Sequence, residues 1–188
     1  MAGATPAEPG WVGDVLAFWF VETPSAAWFK RDEAFDARIR ERFAGLIGTV
    51  AAMPVETATA SDRLALAAVI VLDQFPRNIH RGSALAFAQD AMARAFSAAA
   101  IEKGFDAGLG THERLFLYLP LEHSERIEDQ ERCVALISAL GDAELTRYAI
   151  AHRDIIARFG RFPHRNATLG RPSTPQEVAF LQQPGSSF

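Results

Sequence analysis

The chain has 188 residues, 49% of them apolar, and its 19 basic and 23 acidic side chains leave a formal charge of −4. Length and composition fit one globular domain with a sizeable core, and the negative balance gives no global positive field to recruit nucleic acid or an anionic membrane. A single cysteine, Cys133, excludes a disulfide framework and a thiolate zinc cluster.

In chain order, residues 1–9 read as a flexible, Pro-containing tail, with neither the basic nor the apolar region of a secretory signal. Residues 10–188 read as a single helical domain. The stretch WVGDVLAFWFV (11–21) is too aromatic to face water all round, and a short segment with Trp28 and Phe29 follows Pro24. From about Asp32 to Met53, Phe35, Ile39, Phe43, Leu46, Ile47 and Val50 recur at helical spacing, with Arg38, Arg40, Glu41 and Arg42 between them. Ser61 is the expected cap of LALAAVIVLDQF, apolar nearly all round and therefore central. Ser83 opens the next helix, which Gly104 stops. Thr111 is the expected cap of HERLFLYL, halted by Pro120. Ser124 opens a helix to Gly141, and Asp142 one to Phe159. Thr174-Pro175-Gln176-Glu177 spells a capping box with proline at the first helical position. No alternating strand pattern competes, so the class is all-α: about eight helices stacked as antiparallel hairpins. No run of 18 apolar residues predicts a membrane span, and a cytoplasmic location is expected.

One element is written twice. LDQFPRNIHRGS (72–83) and GRFPHRNATLGRPS (160–173) both carry Phe-Pro, Arg-Asn and a further Arg. Proline disfavours the α region for the residue before it, so Phe75 and Phe162 are each expected to end a helix. Such a recurrence suggests an array in the manner of tetratricopeptide units; a bundle with two similar loops is the alternative.

Those two segments, together with AFWF, WFKRDEAFDARIRERF and FLYLPLEHSE, resemble the bacterial "domain of unknown function 924" family from about Trp11 to the C-terminus. The resemblance implies a single helical domain with tetratricopeptide-like packing, and no particular reaction. His80 stands where the family pattern leads one to expect an aromatic residue.

The chemistry-bearing residues gather at helix ends. Between Arg158 and Arg171 four arginines stand with no acid, a local charge of +4. Arg77, Arg81, Arg161 and Arg165, with Asn78, Asn166, Asp73 and Glu122, are the candidate ligand-binding set: guanidinium forks recognise a carboxylate or phosphate. The same arginines equally suit pairing with Asp73, Glu122 and Glu125, and the asparagines suit turns that visit the left-handed region. His123, beside Glu122, and His152, on the apolar face of its helix, are the candidate catalytic acid or base. If Asp73 and Glu122 reach His152, a buried histidine–carboxylate cluster lies beneath the arginine loops. No cofactor and no metal are expected: phosphate-binding Gly loops, His-Glu-x-x-His and Glu-x-x-His pairs are all missing. The expected function is a polar Arg/His-lined pocket for a small anionic molecule. The alternative is a scaffold for a protein or peptide partner, with the Arg/Asn/His set as a structural lock.

Overall fold

The computed structural model describes residues 8–187, so most of the expected tail lies outside the described residues. Among the described residues there are ten α-helical segments and no strand. They are α1 (Gly10–Ala17), α2 (Glu33–Ala51), α3 (Val55–Ala58), α4 (Asp62–Val69), α5 (Phe75–Ile79), α6 (Asp90–Glu102), α7 (Thr111–Glu122), α8 (Ile127–Ser138), α9 (Ala143–Phe159) and α10 (Pro175–Leu181). Successive long helices pack as neighbours in an array: α6 on α7, α7 on α8 and α8 on α9, with α4 and α5 at the centre. No helix among the described residues is long and apolar enough to cross a membrane.

Several ends follow the sequence. Asp32 accepts from the backbone of Ala34 and Phe35, Ser61 from Leu64, and Asp142 from Glu144 and Leu145. Thr174 and Glu177 exchange hydrogen bonds as a capping box. Gly104 and Gly160 follow α6 and α9 at φ of +72° and +68°, where a side chain would be strained.

Two prolines behave otherwise. The helix of Ser61 does not end at Phe75: α4 passes through a widened π-type turn, Ile70–Gln74, straight into α5, with Phe75 itself helical. Pro76 lacks an N–H and its ring collides with the carbonyl four residues back in a regular helix. The wide turn relieves both demands, as π-bulges do. Pro120 likewise lies inside α7, which runs on to Glu122 and starts from Gly110 rather than a Thr111 cap. Leu115 to Glu122 are all buried, so packing outweighs a local cost of about 3 kcal/mol. Only Phe162-Pro163 ends a helix as expected, with Phe162 extended after Gly160. The two Phe-Pro elements are therefore not equivalent points of a repeat.

The central rod is buried from Leu64 to Gln74. Around it an aromatic core forms, with Phe43 stacked 5.0 Å from Phe75 and Trp19 edge-on to Phe116 at 5.3 Å. A smaller apolar roof of Ile155, Ile156 and Phe162, flanked by Phe159 and Phe180, closes the C-terminal end. Between core and roof lies the polar cluster described next.

Candidate functional site

The π-type turn sets Asp73 and Gln74 into the interior, where Asp73 is fully buried. Such a carboxylate needs partners, and it has three. Gln74 Nε2 donates to Oδ2 at 2.6 Å, His123 Nδ1 lies 2.8 Å from Oδ1, and the Arg77 guanidinium is 3.4 Å away. Burial pushes the Asp73 carboxyl up, but Arg77 and His123 outweigh it and hold the group well below the usual carboxylate range. It stays ionised and so fixes His123 with Nδ1 as the donor.

His123 closes α7, whose last carbonyls are held by Gln130: its Nε2 donates to the carbonyls of Leu121, Glu122 and Ser124. This amide, buried on α8, fixes the backbone on both sides of His123. Burial, with the Arg77 charge, lowers the His123 imidazole below its ordinary value despite Asp73. Its side chain keeps 16% exposure, and its Nε2 carries no hydrogen bond among the described residues. Glu122 lies 3.5 Å from His152 Nδ1; burial, with Asp73 nearby, pushes its carboxyl up to about 8. It is therefore protonated at neutral pH. His152 has its Nδ1 2.9 Å from the Tyr148 carbonyl, and burial takes it down to about 3. Of the two carboxylates expected to reach His152, only Glu122 approaches it; Asp73 pairs with His123 instead, so the buried polar centre is two histidine–carboxylate pairs rather than one cluster on His152. The imidazoles of these pairs stand 6.5 Å apart.

The two Phe-Pro segments also meet, through a residue outside the candidate set. Asp90, in the first turn of α6, receives Arg77 in a two-pronged pair at 2.8 and 3.0 Å, and Arg165 at 3.3 Å. Both guanidiniums lie over the Phe87 ring, and Arg165 also over Phe162. Asp90 thus occupies the anion position between them. Nothing in QDAMARA marks it beyond a first-turn acid, because the arginines arrive from 13 and 75 residues away. Arg165 keeps one buried N–H, at Nε, that has no hydrogen-bond partner among the described residues. Burial and Arg77 bring its guanidinium down to about 10, still charged near neutrality.

The other candidates lie elsewhere. Arg161 forks onto Glu177 at 2.7 and 2.8 Å, pinning α10. Asn166 joins Ser173 to Arg171, which itself forks onto Glu125. Arg81 and Asn78 both bond Asp36 on α2. No non-glycine residue among the described ones has a positive φ. Neither asparagine therefore serves a left-handed turn; each joins segments through its amide. Among the described residues no group of three or more His, Cys, Asp or Glu is arranged to hold a metal.

Fold and cluster together define an all-helical array with a buried ionic and histidine-bearing centre. The chain belongs to the family of bacterial proteins of unknown function designated DUF924, whose sequence profile matches residues 15–185. It is similar to a solved structure of a protein of unknown function from Agrobacterium tumefaciens: 38% identity, a TM-score of 0.86, and coverage of 92% of this chain and 97% of that one. No curated protein matches the chain.

Proposed function

We propose that the cluster around His123 is an acid–base site that receives a small anionic molecule, a carboxylate or a phosphate. The carrying observation is the Asp73–His123 hydrogen bond, which commits Nδ1 to donation and leaves Nε2 bare. A neutral imidazole oriented by a buried carboxylate is a proton acceptor near pH 7. On the preceding residue, Glu122 retains a proton to give, its carboxyl standing at about 8. Acid and base are thus in complementary states at one pH, an outcome of differing environments. Arg165 supplies a buried N–H that lacks a partner among the described residues, a donor for the anion. A small metabolite as ligand accords with a cytoplasmic location.

One observation favours a second reading for the remaining arginines. Arg77, Arg81, Arg161 and Arg171 already fork onto or pair with carboxylates. In that reading they lock the helices and touch no ligand.

Thermal melting of the wild type and of His123→Asn, against a panel of small carboxylates and phosphates, tests the site. Asparagine keeps an N–H for Asp73 and removes the ring Nε2. A ligand at about 100 times its Kd stabilises by about 2.7 kcal/mol, or about 5–10 °C in a domain of this size. The expected result is such a shift in the wild type and its loss in a variant that melts close to the wild type. A full shift in His123→Asn, or no shift in the wild type with any compound, overturns the proposal.

A further inference from the structure

A second polar recess lies on α2 and the end of α5, outside the histidine cluster. Glu33, Asp36 and Arg40 stand three and four residues apart on α2, hence on one face. Arg31 precedes that helix, and Asn78, Ile79 and Arg81 come from the end of α5 and the turn after it. Together they enclose a cleft of about 300 Å³, at the small end of ligand-sized volumes.

Two of its cations are set in place by the protein. Asp36 is 7% exposed; it accepts from Asn78 Nδ2 at 2.8 Å and from both Nε and Nη2 of Arg81. This carboxylate is thereby spent as a holder. Arg40 donates from Nη2 to the Ile79 carbonyl at 2.9 Å. Among the described residues, Arg81 Nη1 and Arg40 Nε and Nη1 have no hydrogen bond, and Arg31 has neither a hydrogen bond nor an ion pair. Once the Arg81–Asp36 pair is set aside, Arg31 and Arg40 face a single carboxylate, Glu33. The cleft therefore holds excess positive charge in a chain whose formal charge is −4.

We propose that this cleft binds a phosphate group, free or as a phosphate monoester, on Arg31, Arg40 and Arg81. Donors converging from three separate segments suit the several oxygens of a tetrahedral oxyanion better than the two coplanar oxygens of a carboxylate. Two of the three guanidiniums are held in position before the ligand arrives, which lowers the ordering cost of binding. Glu33 lies where it would accept from a hydroxyl or amine of an ester and repel a second anionic group. The site is independent of the acid–base reading at His123: Arg77, on the same short helix, is directed to Asp73 and Asp90 instead.

Calorimetric titration of the full chain with inorganic phosphate and with glycerol 3-phosphate, at fixed ionic strength against chloride, tests the proposal. Arg31→Ala is the cleanest variant, because Arg31 supports no other described residue. Saturable binding by the wild type, weakened about tenfold or more by Arg31→Ala and unchanged by His123→Asn, is the expected result. Stronger binding of the ester than of free phosphate identifies an esterified ligand; equal binding identifies phosphate itself, and both support the site. Absence of saturable binding, or binding that Arg31→Ala leaves intact, overturns it. Binding lost in His123→Asn but kept in Arg31→Ala assigns the anion to the histidine cluster and overturns the cleft while sparing the other site.

Discussion

Replacing Asp73 by alanine is expected to destabilise the protein by about 3–5 kcal/mol, the range for removing one partner of a buried ion pair. In a domain of this size that lowers the melting temperature by about 10 °C or more. The carboxylate is fully buried and answers to Gln74, His123 and Arg77 at once. Without it, a buried guanidinium keeps only Asp90 to balance it, and Nδ1 of His123 loses its acceptor. Asp73→Asn preserves shape and one acceptor, so a smaller loss is expected, with the imidazole no longer held by a charge. Thermal or urea melts of the two variants measure the difference. An Asp73→Ala protein that melts within about 1 kcal/mol of the wild type would mean that the cluster is not the unit described above.

Stability is expected to peak near pH 6.5 and to fall on either side, for different reasons. Glu122 in the folded chain keeps its proton up to about 8, against an ordinary value of 4.5. The unfolded chain therefore loses that proton first, and stability declines by about 1.4 kcal/mol per unit as pH rises through this window. His152 and His164 work in the opposite sense. The folded protein refuses their protons until about 3 and about 4, whereas the unfolded chain takes them up below 6.5. Their stabilising effect is complete above 6.5 and is lost as pH falls toward 4. Asp73, held low, adds a further loss below its ordinary 3.8. Between pH 6.5 and 8 only the Glu122 effect remains, about 2 kcal/mol. Glu122→Gln should therefore be nearly flat across that interval where the wild type declines. Parallel curves for the two proteins would contradict a buried, protonated Glu122.

The sequence made the all-α class and most helix boundaries readable, because these depend on local chemistry. Serine, threonine and aspartate caps, glycine stops and the three-and-four spacing of α2 all act within a turn or two. Proline misled twice for the same reason. Its penalty is local, but the burial that outweighs it in α7, and the widened turn that accommodates Pro76, arise from packing against distant helices. At the site, Asp73, Glu122 and His123 were legible as polar residues ending apolar helices, and His152 as a histidine on the apolar face of its helix. The pairing was not: Asp90, the carboxylate shared by Arg77 and Arg165, looks like any first-turn acid. Gln130, which holds the end of α7, looks like any helix-surface amide. Arg161 and Arg171 have the composition of an anion site, yet the structure gives each a carboxylate, Glu177 or Glu125. Composition shows which charges are present, and only the tertiary fold shows which of them are already answered.

The central claim, that Asp73 poises His123 as a neutral base with a bare Nε2, is tested most directly by nitrogen-detected NMR of the imidazole rings across pH, assigned with His123→Asn. The account predicts that at pH 7 the His123 ring carries its proton on Nδ1. It also predicts that Nε2 resonates as an unprotonated ring nitrogen, taking up a proton only below the ordinary 6.5. A ring already charged at pH 7, or one protonated on Nε2 with Nδ1 bare, would contradict it.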